Sequence, residues 1–577
     1  MSYKYKNILS LTSEEVYDFF LNSEQYHNFE LPEYFDFNEL LDFVSKSISE
    51  KEYDDCINEV GPETLDNVNL NIILNKDGHY AVRPLTLANP FLYCFLVKEI
   101  CIKGWQPILE CFNKFNVPHI TSCAIPIVPK KTEAFHKAST ILNWWHSMEQ
   151  RSIELSLEYR YMFVTDITNC YGSINPQTLD WALTFKNTEF ESSKNTVLSK
   201  NIRRYLCALQ QGHNIGIPQG SILFDLVAEI ILGYSDLLLS LELEKQQIEG
   251  YEIIRYRDDY KIFCNDKGTL ERISYILQGV LEKLNFRMNS QKTKISDSII
   301  TDSIKKDKLA YIYNTPIFNK KGCDFDGIGK HLLFILMFTR DYPNSGQLPI
   351  ILGDLDKRIN NIINKKEKKS NKWQEVNLDD SEETESANNV FKTVKVYGKS
   401  SNPIKENIKA LTAICAQIAL ENIKYSHYAL RIASRLLNTL EDDNIKKQIV
   451  QNVYNKLCHI PNSEYNQLWL QNITYTSDVR DKLTRYNMPL CKVVMGESPE
   501  GIWNNGWVKK EILDGTPFHS IVNLETLKNS SSIITFRERR AYNEAYEQTE
   551  HFANDFLQEM EELRKTNFEG YETILTF

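Results

Sequence analysis

Two adjacent aspartates, Asp258 and Asp259, sit in the stretch RYRDDYKIF (255–263), between an aromatic approach and an apolar exit. A third, Asp166, closes the apolar run MFVTD (162–166) and is followed by Ile167. Carboxylates are the hard oxygen ligands that Mg²⁺ prefers. A nucleotidyl transfer uses two such ions about 4 Å apart, one activating the attacking 3′ oxygen and one holding the triphosphate. Three aspartates at the ends of neighbouring strands would supply that ligand set. Asp is also common in turns, so the Asp258-Asp259 pair alone reads equally well as an ordinary hairpin turn. The order and company of other segments must decide.

The elements that position these residues are legible. Between about 71 and 300, short β-rich runs at 162–167, 252–256 and 260–264 alternate with amphipathic helices, an α+β pattern. Between the acidic sites lies GIPQGSILFDLVAEIIL (216–232), a Gly-rich turn opening an apolar helix, with Ser221 placed to cap it. Such a turn lets backbone approach a nucleotide closely, though an ordinary capped loop reads the same way.

Upstream, residues 1–70 form an N-terminal helical segment in which Leu40, Leu41, Phe43 and Val44 fall at helical spacing. Downstream, 301–364 reads as a further helical region. Residues 365–407 carry a basic block and then an acidic one, with few large apolar residues, as in a flexible linker or insertion. Residues 408–577 show apolar residues at i, i+3, i+4 spacing and read as a C-terminal α-helical domain. Trp469, Trp503 and Trp507 within it are expected as core or interface anchors, with stacking on single-stranded bases the alternative.

Composition narrows the class. The 577 residues are 42% hydrophobic, enough for a large core, and the net charge of −11 argues against a protein that coats nucleic acid through general phosphate neutralisation. Any nucleic-acid groove must be local. Twelve cysteines are scattered without a CxxC pair or a Cys/His cluster at zinc spacing, and are expected as reduced core residues. The opening MSYKYKNILSLTSEE has no apolar core with a cleavage site, and no later run reaches about 18 apolar residues. A cytoplasmic protein without a membrane partner is expected.

Four segments in order, VTDITNCYGSI (164–174), GIPQGS (216–221), YRDD (256–259) and LNFRMNSQKTKI (284–295), resemble the palm motifs of reverse transcriptases. The resemblance implies a right-hand fingers, palm and thumb architecture, with fingers and palm over 71–300 and a thumb-like region over 301–364. It implies DNA synthesis from dNTPs with two Mg²⁺ ions, or Mn²⁺, held by Asp166, Ile167, Asp258 and Asp259. Tyr171 falls on the bulky position that excludes a ribose 2′-hydroxyl. Gln219 matches the glutamine beside the nascent base pair, Tyr256 lines the nucleotide site, and Lys292 matches a lysine near the triphosphate that serves as proton donor. The segment HYAVRPLTLANPFLYCFLVKEI (79–100) looks like the fingers of bacterial members and nominates Arg83 for phosphate contact, while His79 reads as structural. For Arg83 and Lys292 the plain alternative is a solvated surface charge.

Arg257 departs from most of that family, in which a small or apolar residue stands before the aspartate pair. A guanidinium there carries five donors and can bind a phosphate, read a base edge or neutralise neighbouring aspartates. The departure resembles the bacterial defence-associated reverse transcriptases, the abortive-infection and unknown-group class, some of which polymerise DNA without an ordinary template. The N-terminal stretch 19–44 is further similar to the second reverse transcriptases of type 3 defence-associated systems. That resemblance implies antiviral defence, a noncoding RNA, a partner reverse transcriptase, oligomers and a simple-repeat single-stranded DNA product. Its sequence would be set by side chains acting as template mimics, with Arg257 and Glu24 as candidates. A protein primer would need a reachable hydroxyl, and Tyr26 and Tyr34 are expected to be packing residues instead. The alternatives are a template-copying retron- or intron-type enzyme, and a non-catalytic scaffold that binds RNA or a partner.

Overall fold

The computed structural model describes residues 6–76, 81–128, 145–318, 325–374, 403–481, 486–497 and 501–536. His79 lies outside them. The chain divides into two compact units, one of 1–320, 342–347 and 486–529, the other of 321–341, 348–485 and 530–577. The fold is mixed α+β, with a small central sheet and a large helical part.

The sheet of the first unit has five strands in the order β4-β7-β8-β6-β9. They are β4 (Ile120–Ser122), β6 (Tyr161–Asp166), β7 (Tyr251–Tyr256), β8 (Asp259–Cys264) and β9 (Lys294–Ser296). Only β4 and β7 run parallel; the other three pairings are antiparallel. The central strands have apolar residues on both faces because helices and loops cover both. On one side Met162, Ile254 and Phe263 pack with Met148, Leu155 and Ile299.

The helix Ile222–Lys245 is apolar almost all round and almost entirely buried, as expected of a helix at the centre of a unit. Ser221 caps it, its hydroxyl accepting from the Leu223 amide at 3.2 Å. Two small sheets complete the unit: β1 (Lys6–Asn7) pairs with β5 (Ile127–Val128), and β2 (Leu70–Asn75) with β3 (Val82–Leu87).

The N-terminal region holds helices at Ser13–Phe20 and Asn38–Ser47, the latter burying Leu40, Leu41 and Val44. Tyr26 and Tyr34 are both buried, the Tyr26 hydroxyl donating to the Ala88 carbonyl.

Residues 486–529 pack in the first unit, whereas periodicity alone groups them with 408–485. Trp503 and Trp507 are the reason. Both are fully buried, the first edge-on to Phe37 and the second beside Tyr53 and Phe91. Main-chain hydrogen bonds tie the segment to the N-terminal region, from Asn58 N–H to Trp507 O at 2.7 Å and from Asn523 N–H to Tyr34 O at 2.8 Å. Large aromatic burial of this kind contributes several kcal/mol per residue, about 3–5 by truncation.

The second unit is helical. Pro403–Glu421, Ser426–Asn438, Asp443–Cys458 and Glu464–Asp481 follow one another, and Phe325–Asp341 and Leu348–Gln374 belong with them. The stretch read as a thumb is thus shared between units, with Lys306–Phe318 in the first. The helix Leu348–Gln374 runs into the charged stretch read as a linker over 365–407, of which 375–402 lie outside the described residues. Eleven described cysteines are free thiols, nine of them buried, as the scattered spacing implied.

Candidate active site

β7 and β8 are joined by a two-residue turn, since Tyr256 and Asp259 are paired across it and only Arg257 and Asp258 lie between. Arg257 takes a positive φ of 54°, a conformation that costs a non-glycine residue about 1–2 kcal/mol. Side chains hold it there. The Arg257 Nη2 donates to Asp225 Oδ2 at 2.6 Å, and its carbonyl accepts from Arg255 Nη1 at 3.1 Å.

Arg255 is fully buried and doubly paired: Nη1 and Nη2 meet both oxygens of Glu229, and Nε and Nη2 meet Asp236, at distances from 2.7 to 3.1 Å. Its carboxylate partners lie seven residues apart on one face of the helix Ile222–Lys245, and Asp225 lies one turn earlier on that face. The Ser122 hydroxyl donates to Glu229 at 2.9 Å, so β4 joins the same network. Burial pushes the Asp236 carboxyl up and the Arg255 charge pulls it back.

Asp166 lies directly opposite Asp259 in the β6–β8 register, and Asp258 occupies the turn above them, its carbonyl accepting from the Ile167 amide at 3.0 Å. Ile167 contributes main chain here and is itself buried. Burial, the Asp258 charge and the nearby Asp166 push Asp259 up to about 6, the Lys305 and Lys292 charges offsetting part of the rise. Asp258 is also raised, by burial first and by Asp166 after it.

The loop after Phe286 docks on the end of β6. The Asn289 amide donates to the Asp166 carbonyl at 2.9 Å, and Thr165 and Thr293 share a hydroxyl hydrogen bond of 2.7 Å. This places Lys292, whose side chain is exposed, with Nζ 2.8 Å from Asp166 Oδ2.

The GIPQGS turn is pressed between two backbones. The Ile217 amide donates to the Tyr171 carbonyl at 3.0 Å, and the Gln219 carbonyl accepts from Thr86 at 2.7 Å. Gly220 has φ 131°, and a Cβ there would stand 3.0 Å from the Thr86 carbonyl oxygen, so glycine is required on both counts. Tyr171 donates its hydroxyl to Asp225 Oδ1, and burial together with that carboxylate pushes its phenol far up.

Structure therefore brings together Asp166, Ile167, Asp258, Asp259 and Lys292 in one cluster. Tyr171, Tyr256 and Arg257 adjoin it through the turn and Asp225, and Gln219 lies in the loop docked on Tyr171. Arg83 is half-buried on β3, opposite Leu74. Glu24 is exposed on the short helix Ser23–Tyr26, which meets the GIPQGS turn through the Ser221 hydroxyl and the Gln25 carbonyl, 2.9 Å apart. The sequence reading does not single out Asp225, Glu229 or Asp236. Their position on one face of the apolar stretch 222–239 is the available signal.

Among the described residues no three His, Cys, Asp or Glu side chains converge tightly enough to enclose a metal by themselves. One oxygen of Asp166 is taken by Lys292. The other, Oδ1, is buried without a hydrogen-bond partner. A buried carboxylate oxygen in that condition, facing a second carboxylate across the strands, is chemically suited to a hard divalent cation completed by ligands from outside the protein.

The sequence profile of the reverse transcriptase (RNA-dependent DNA polymerase) family matches residues 102–325, which contain every strand of the five-stranded sheet. A reverse-transcriptase-superfamily domain is thus present, and at the family level it supports a nucleotidyltransferase function. No curated protein matches the sequence. Similar solved structures include apo telomerase from Candida tropicalis truncated from its C-terminal domain, at 16% identity and a TM-score of 0.27 over 44% of this chain and 54% of that one. Telomerase from Candida albicans in complex with a TWJ fragment of telomeric RNA aligns at 11% identity and 0.27 over 75% and 68%. The chain thus spans about half the length of the first of these. No helix of the described residues is long and apolar enough to cross a membrane.

Proposed function

We propose that this chain is a DNA-polymerising nucleotidyltransferase of the reverse-transcriptase type, with the carboxylates at the β6–β8 end as its reaction centre. The observation that carries this reading is the facing of Asp166 and Asp259 beneath the Asp258 turn, with one Asp166 oxygen buried and unpartnered. Asp166, the Ile167 carbonyl, Asp258 and Asp259 would hold two Mg²⁺ ions, or Mn²⁺, which supply charge neutralisation for the triphosphate and lower the pKa of the attacking hydroxyl.

The protein's own groups have distinct tasks in this reading. Arg255 and Arg257 fix the turn that carries Asp258. Lys292, exposed and able to swing from Asp166, delivers a proton toward the departing pyrophosphate. Tyr171 stands beside the sugar, Gln219 beside the new base pair, Tyr256 on the nucleotide side, and Arg83 takes a phosphate. The Arg257 guanidinium is engaged by Asp225, which favours a role in shaping the turn over a role as template mimic. Glu24, exposed next to the GIPQGS turn, keeps the template-mimic assignment.

The biological setting in this proposal is bacterial antiviral defence, with single-stranded repeat DNA made without an ordinary template, a noncoding RNA and a partner polymerase in the assembly. The N-terminal and YRDD resemblances support it.

The test is incubation of purified protein with Mg²⁺ and each dNTP, singly and together, with and without template and before and after RNase, followed by sequencing of the product. Incorporation that Asp258→Asn and Asp259→Asn both abolish supports the polymerase. Equal incorporation by those variants, or none by the unaltered protein, overturns it. Synthesis only on added template, or lost with RNase, removes the untemplated part of the reading and leaves the polymerase.

A further inference from the structure

Asp225 is one carboxylate with three partners from three parts of the chain. Its Oδ1 accepts from the Tyr171 hydroxyl, and its Oδ2 accepts from Arg257 Nη2 at 2.6 Å and from Asn28 Nδ2 at 3.1 Å. The Asp225 side chain is 4% exposed, and that of Arg257 29%. Tyr171 stands five residues beyond Asp166, and Arg257 immediately before Asp258. The Arg257 Nε is buried without a hydrogen-bond partner; the guanidinium is held by the Asp225 carboxylate and lies over the Tyr256 ring, 5.7 Å from its centroid. Asn28 is held in turn by its amide, which donates to the Gly220 carbonyl at 2.8 Å.

From this geometry we infer that Asp225 is a positioning residue that sets sugar discrimination, by holding the Tyr171 ring and the Arg257 turn in one fixed relation. The inference rests on the polymerase reading above and assigns a role to a residue outside its reaction centre. A tyrosine with a free hydroxyl would leave the ring two torsions to relax away from a 2′-oxygen. A hydroxyl hydrogen-bonded to an ionised, buried carboxylate is charge-assisted and keeps the ring in one rotamer. The second oxygen of the same carboxylate neutralises Arg257, whose turn presents Asp258. A change at Asp225 therefore reaches the sugar side and the metal side together. A change in the Tyr171 hydroxyl alone reaches only the sugar side.

The experiment compares dNTP with the matching rNTP at fixed Mg²⁺, measuring kcat and KM for unaltered protein, Tyr171→Phe, Asp225→Asn and the double variant. Tyr171→Phe keeps the ring and removes only the hydroxyl, so it carries the test even where Asp225→Asn fails to fold. The expected result is a loss of dNTP preference of about tenfold in either single variant, which equals about 1.4 kcal/mol. The double variant is expected to lose little more than Asp225→Asn, because Tyr171→Phe removes the donor of the same hydrogen bond whose charged acceptor Asp225→Asn replaces. Asp225→Asn alone is also expected to lower kcat for dNTP. Sugar preference unchanged in Tyr171→Phe, with activity intact, overturns the inference and leaves the polymerase standing. Absence of incorporation by the unaltered protein overturns both.

Discussion

Arg255 donates through Nη1 to the main-chain carbonyl of Arg257 at 3.1 Å while its remaining donors are bound by Glu229 and Asp236. A side chain with no solvent exposure thus reaches over the strand end to hold the turn that carries Asp258. Removing one partner of a buried pair strands the others, which costs about 3–5 kcal/mol. Arg255→Met is therefore expected to lower the thermal midpoint sharply, and Arg255→Lys, which keeps the charge but loses the fork, to fold and yet incorporate nucleotide more slowly. Equal melting of Arg255→Met and the unaltered protein would show that the network is dispensable.

Asp259 has a carboxyl pushed up to about 6 by burial and by Asp258. The folded chain thus binds that proton more tightly than the unfolded chain does. Stability contributed this way is present below the unfolded pKa of about 4, falls as pH rises toward 6, and is absent above. In metal-free protein Asp259→Asn is expected to raise stability at pH 7.5 and to change little at pH 4. Asp259 stands exposed at the start of its strand, so solvent screens the effect and the gain is less than about 1 kcal/mol. Divalent metal should reverse the order by stabilising the unaltered protein more than the variant, which lacks one of the ligands, and less so as pH drops through 6. Melting curves at both pH values with and without Mg²⁺ check this, and a lower midpoint for Asp259→Asn without metal at pH 7.5 contradicts it.

Lys292 pairs with Asp166 at 2.8 Å, yet its side chain is 59% exposed. An exposed pair of this kind is worth about 0–1 kcal/mol. Lys292→Met is expected to leave melting nearly unchanged and to slow incorporation about 10²-fold, the scale of a lost general acid. Rates within twofold of the unaltered protein would remove Lys292 from the chemistry.

Gly220 combines φ 131° with a Cβ position 3.0 Å from the Thr86 carbonyl oxygen. Gly220→Ala must displace the Thr86–Gln219 hydrogen bond, at an expected cost of about 1–3 kcal/mol. Because Gln219 moves with it, KM for dNTP should rise more than melting falls. A variant with unaltered KM argues that Gln219 does not face the nucleotide.

Trp507 is fully buried beside Tyr53 and Phe91. Trp507→Ala is expected to cost about 3–5 kcal/mol in the first unit. Limited proteolysis should then release the segment 486–529 before the sheet opens, and retention of that segment would place its anchorage elsewhere.

Local chemistry in the sequence determined the strand–turn–strand around Arg257-Asp258, the Ser221 cap, and the burial of Leu40, Leu41 and Val44. Each depends on residues within a few positions of one another. Period two and period 3.6 patterns report such local order directly. The facing of Asp166 and Asp259 was legible only as two strand ends that ought to meet, because register is set by pairing across a long separation in sequence.

Tertiary structure decided the rest. It turned Arg257 away from a free donor and toward Asp225, one of several acids in a largely apolar helix. It set Trp503 and Trp507 against the N-terminal helices, because periodicity reports which face of an element is buried and is silent on what covers it. Charge pairs between separate elements, and aromatic contacts between residues hundreds of positions apart, depend on where whole elements come to rest, and that is a property of the packed chain.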